Sequence, residues 1–96
     1  MKKLLHVGCG TDNKKSLKGF NNSFWSETRL DIDKNVQPDI VGSLTDMSLV
    51  DSRSVDALFS SHNIEHIFPH EVPTALREFN RVLSDDGFVG WVLGKP

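Results

Sequence analysis

The apolar run Leu4-Leu5-His6-Val7 breaks off at Gly8-Cys9-Gly10, and twenty-one residues after Gly10 stands the acidic residue of Leu30-Asp31-Ile32-Asp33. An apolar run that stops at a Gly-x-Gly turn reads as a buried strand delivering bare backbone to a ligand. A carboxylate at the end of the next strand is then placed to accept from a ribose diol. That geometry belongs to nucleotide-type sites in doubly wound α/β sheets, and it points to an adenosine-containing cofactor.

Which cofactor follows from what is missing. The dinucleotide fingerprint asks for a third glycine three positions after the second, and that position is Asn13. The helix that should follow is weakly written, since residues 11–28 are polar and only Phe20, Phe24 and Trp25 hint at a helical period. A pyrophosphate needs a helix N-terminus aimed at it. S-adenosylmethionine keeps ribose and adenine but carries a sulfonium and an amino acid in place of phosphate, so it is the expected cofactor rather than NAD.

Strands are predicted over residues 4–7, 29–32, 39–41, 54–60 and 88–93. The clearest helix is 71–83, where Val72, Ala75, Leu76, Phe79, Val82 and Leu83 form one stripe. Pro73 lies in its first turn, and Ser84-Asp85-Asp86-Gly87 is expected to stop it. Strands alternating with crossovers predict an α/β fold, a Rossmann-like, mainly parallel sheet of about five strands in the order 3-2-1-4-5. The order reverses between the first and fourth strands. Gly8 to Gly10 close one of these strands and Ser60, Ser61 and His62 the other, so two independent motifs converge on one crevice.

Ninety-six residues set the expectation of a single domain with a small core. A net charge of −2 gives no footprint for nucleic acid, and Lys2-Lys3 and Lys14, Lys15 and Lys18 read as solvated surface. No apolar stretch reaches membrane-spanning length, and a signal-peptide core is absent. One cysteine rules out an internal disulfide and suits a reducing cytoplasm.

With these segments in place, the chain resembles the class I S-adenosylmethionine-dependent methyltransferases over residues 4–93. The resemblance rests on Val7-Gly8-Cys9-Gly10, on Trp25 through Asp33 (Trp-Ser-Glu-Thr-Arg-Leu-Asp-Ile-Asp), on Pro38-Asp39-Ile40-Val41-Gly42 and on Ser60-Ser61-His62-Asn63-Ile64-Glu65-His66. It implies a methyl transfer to a small-molecule acceptor that it does not identify. Carried over by position, it implies cofactor contacts from Gly8, Cys9, Gly10, Asp31, Ile32, Ser43, Leu44, Ser61 and His62. Asp31 would hold the ribose hydroxyls and Leu44 would pack beside adenine. His62 is the candidate general base, although methyl transfer rests mainly on positioning and desolvation.

Three departures qualify the likeness. Ser43 stands where many relatives carry an aspartate that reads the adenine amino group. His6 replaces a first-strand acidic residue, which leaves the cofactor's ammonium without that distant carboxylate. The chain also stops at Pro96, before the last two strands of the full fold, so a truncated domain is expected. The edge of the fifth strand would then be exposed and apolar, which invites a homodimer.

Other readings run alongside. A degenerate, non-catalytic cofactor-binding module acting through dimerisation is the alternative to an enzyme. Cys9 reads as a small buried turn residue rather than a nucleophile, and Asp33 as a turn residue. His62 to His66 spell H-x-x-E-H, but Pro69 follows too soon for the helix that a metal site would need, so no metal is expected. His70 is read as a polar helix-start residue, while Trp25 is open between core and pocket lid.

Overall fold

In the computed structural model, which describes residues 2–61 and 68–92, the opening apolar run is a strand, β1 (Lys2–Val7). It is longer than the predicted 4–7 because the backbones of Lys2 and Lys3 pair with Trp25 and Ser26 while their side chains stay exposed. That pairing also draws the second strand back toward the N-terminus, so β2 is Trp25–Asp31 rather than 29–32. The third and fourth strands are β3 (Ile40–Val41) and β4 (Val55–Ser61). One helix, α1 (Val72–Val82), follows a 3-10 turn over Pro69–Glu71 and leads directly into β5 (Leu83–Val92). Among the described residues these strands pair in parallel throughout, in the order β3-β2-β1-β4-β5.

The helix ends at Val82, one residue short of the predicted boundary, and residues 84–87, expected as the turn that stops it, lie inside β5. Val55 pairs with Leu83 and Ala57 with Phe88, so two steps along β4 face five along β5 and the surplus bulges outward. Gly87 fits a crowded position there. A Cβ would stand 2.9 Å from Leu83 Cδ2, 3.0 Å from the Ser84 carbonyl oxygen and 3.2 Å from that of Asp56.

Strand alternation gives the sheet two unlike faces. On one, Leu5, Val7, Leu30 and Leu58 are fully or almost fully buried beneath Ala75, Phe79 and Val82 of α1, with Leu44, Met47 and Val50 closing the side. On the other, Leu4 and Ala57 lie under Leu17, Phe20 and Trp25, which come from the β1–β2 connection and the start of β2. That connection forms only a 3-10 turn (Lys14–Ser16) among bends, in line with its weak helical period. Trp25 packs edge-on to Phe20 at 4.8 Å between ring centres, which places it with this second core cluster. No described helix is long and apolar enough to cross a membrane.

Candidate functional site

Parallel strands end at a common edge, so the residues closing β1, β2 and β3 share one rim. At the end of β1 the chain turns through Gly8 and Gly10, both left-handed with φ of 60° and 56°, a conformation glycine adopts without steric cost. The Gly8 N–H donates to the Leu30 carbonyl at 2.7 Å and the Gly10 N–H to Asp31 Oδ2 at 2.8 Å. A Cβ built on Gly10 would meet nothing within 4 Å, so the space above the turn is open.

Asp31 ends β2 with its other oxygen, Oδ1, accepting the Asp33 N–H at 2.8 Å. Each carboxylate oxygen can accept twice, so one acceptor position on each is left for a diol. The turn, the open space and the remaining acceptors fit an adenosine-type ligand. Ile32, the next residue, is 74% exposed. Asp33 caps the next turn, accepting from the Asn35 N–H at 2.9 Å, as its expected turn role requires.

Beyond β3, Gly42 donates to the Asp31 carbonyl at 3.0 Å, which draws the following loop to the same rim. Ser43 Oγ lies 3.0 Å from Thr45 Oγ1 and accepts the Thr45 N–H. Leu44 is buried in the α1-side core with Met47 and Val50. Ser61 closes β4, but its side chain lies outside the described residues. So do His62, the candidate base, and the His62–His66 pair. Among the described residues no cluster of histidine, cysteine and acidic side chains could hold a metal ion.

Cys9 is buried, and that burial pushes its thiol pKa up against the opposing pull of the nearby Arg29 charge. A thiol held protonated is a poor nucleophile, in keeping with a turn role.

Two neighbours of the turn were not singled out from the sequence. Glu27, Arg29 and Asp31 alternate along β2, so all three face the side of the sheet away from α1. The fully buried His6 sits with Nδ1 2.9 Å from Glu27 Oε2 and its ring edge-on to Phe59. Glu27 of β2 thus supplies a carboxylate partner to this buried histidine. Arg29 spreads its guanidinium over four backbone carbonyls, Gly10 at 2.6 Å, Asp12 and Gln37 at 3.0 Å, and Val36 at 3.4 Å.

Comparison with known proteins agrees with this architecture. The Methyltransferase domain family matches residues 5–90. A search of curated proteins finds no match. Among solved structures, the fold is similar to a candidate S-adenosyl-L-methionine-dependent methyltransferase of Methanococcus maripaludis. That pair shares 18% identity over 98% of this chain and 49% of the other, with a TM-score of 0.76. A protein from Pyrococcus horikoshii is 20% identical over 91% of this chain and 44% of its own, with a TM-score of 0.74. The chain therefore spans half or less of the length of these structures. Because the family match runs through nearly the whole sequence, from the first strand into the fifth, this chain belongs to the Methyltransferase domain family.

Proposed function

We propose that this chain binds S-adenosylmethionine on the rim formed by residues 8–10 and Asp31, as part of an enzyme that methylates a small-molecule acceptor. The observation that carries the reading is the Gly10–Asp31 contact. It joins a side-chain-free turn to a carboxylate that keeps acceptor capacity for the two ribose hydroxyls, and hydrogen bonds to a charged acceptor are the strong ones. The cofactor would supply a methyl group on a sulfonium, open to in-line displacement. The chain's own residues would bind and orient. The turn offers backbone at close range, Asp31 fixes the ribose, Ile32, the next residue, presents an exposed apolar surface, and His62 is the candidate base.

Calorimetric titration with S-adenosylmethionine tests this. Binding that is lost in Asp31→Ala supports the site, and binding unchanged in that variant rules it out.

A second reading, a cofactor-binding module that associates with a copy of itself, draws on β5. Phe88 is 51% exposed on the face it shares with Phe20 and Trp25, and Val89 is 38% exposed on the other face beside Leu76 of α1, itself 42% exposed. An apolar edge of this kind favours strand pairing. Light scattering across a concentration series separates a dimer from a monomer.

A further inference from the structure

Arg29 spends all three of its guanidinium nitrogens on backbone carbonyls. Its Nη2 donates to the carbonyls of Gly10 and Val36, its Nε to that of Asp12 and its Nη1 to that of Gln37. Gly10 and Asp12 belong to the loop after β1, Val36 and Gln37 to the loop after β2. These are the two loops that border Asp31. We propose that Arg29 is a positioning residue that locks both loops in their ligand-ready form and so sets the affinity of the rim for its adenosine ligand. This inference rests on the cofactor reading given above.

Three observations carry it. First, Gly10 is held from both sides by one strand, its N–H by Asp31 and its carbonyl by Arg29. Second, the far end of the fork holds a strained residue. Gln37 has φ 55° and ψ 55°, a left-handed conformation that is strained for a non-glycine residue, and the bond from Arg29 to its carbonyl helps to offset that strain. Third, Arg29 is itself fixed, since its backbone N–H donates to Asp39 Oδ2 at 2.7 Å just ahead of β3. A planar guanidinium spreads its donors over three nitrogens and so reaches both loops at once, whereas a lysine ammonium concentrates its three donors on one nitrogen. Loops ordered before binding need not be ordered during it, and that difference appears as affinity.

The test is calorimetric titration of the full chain and of Arg29→Lys with S-adenosylhomocysteine, followed by the double variant Arg29→Lys with Gln37→Gly. The expected result is affinity weakened by about tenfold in Arg29→Lys and partly restored in the double variant, because glycine takes the left-handed conformation freely. A direct contact with the ligand would not be rescued from position 37, so loss without rescue overturns the positioning role. Arg29→Lys binding as tightly as the unsubstituted chain also overturns it. No binding by the unsubstituted chain overturns the cofactor reading itself, and the inference with it. Should Arg29→Lys fail to fold, the Arg29 Nε–H resonance of the unsubstituted chain decides. A proton protected from exchange both with and without ligand supports the lock, and one exchanging freely with water refutes it.

Discussion

Replacing Arg81 by methionine should loosen the loop between β3 and β4 from α1. Arg81 donates through Nη2 to the Met47 carbonyl at 2.8 Å, and through Nη1 to the Val50 carbonyl at 2.9 Å and to Ser52 Oγ at 3.1 Å. It also grips Glu78 through Nε and Nη2, while Glu78 Oε2 accepts the Met47 N–H at 2.7 Å. Methionine keeps most of the aliphatic packing, so the loss is chiefly that of two backbone carbonyls bonded to a charged donor. At the low end of about 1.5 kcal/mol each, because the Arg81 side chain remains 32% exposed, the cost is about 3 kcal/mol. For a domain of this size each kcal/mol moves the melting temperature by about 4–8 °C, so the variant should melt ~12–24 °C lower.

The pH dependence of that difference follows from Glu78. Its hydrogen bond to Arg81, aided by the Met47 N–H and opposed by desolvation, holds its carboxyl below the ordinary glutamate range. A depressed folded pKa means stability that is fully present above the unfolded value, about 4.3, and lost as pH falls through the folded one. Melting followed by circular dichroism at pH 7 and pH 3 should therefore show the gap between the unsubstituted chain and Arg81→Met narrowing in acid. A shift of only a degree or two at pH 7, or a gap of equal size at both pH values, would refute the reasoning.

Phe79→Ala empties a fully buried aromatic site under the sheet and should cost about 3–5 kcal/mol in urea denaturation, enough to leave much of the sample unfolded. Gly87→Ala should destabilise by about 1–3 kcal/mol through overpacking against Leu83 and two carbonyls. Gly10→Ala meets no atom and should lose only about 1 kcal/mol to its left-handed backbone, with ligand affinity falling more than stability in parallel titrations. If β5 mediates association, Val89→Lys should shift a dimer to a monomer in light scattering while far-ultraviolet dichroism stays unchanged.

Much of the fold was legible because its strands carry unmixed signals. Leu4, Leu5 and Val7 leave no alternative to a central strand, and the stripe through Ala75, Phe79 and Val82 marks the buried face of α1. Boundaries were less visible because pairing sets them. Trp25 and Ser26 are in β2 through their register with Lys2 and Lys3, and Leu83 is in β5 because a bulge absorbs the turn-like segment after it. In the site, the Gly-x-Gly turn and Asp31 could be read from spacing alone. Arg29 and Glu27 could not, since a charged residue in a strand looks solvated until its strand is known to be internal. The available signal was the alternation Glu27, Arg29, Asp31 in a strand next to β1. A polar face there must find partners, because unsatisfied buried charge is costly.

The order of strands also decides when folding can finish. β1 sits at the centre of the sheet, and its partner across Leu4 is Ala57, fifty-three residues later in the chain. On a ribosome adding about 5–20 residues per second, Leu4 and Leu5 wait on the order of 3–10 seconds before β4 exists to cover their second edge. The strand made first is thus among the last to be closed. Non-local pairing of this kind makes for slow folding, and during the wait the apolar residues of β1 depend on β2, or on a chaperone, to stay out of wrong pairings.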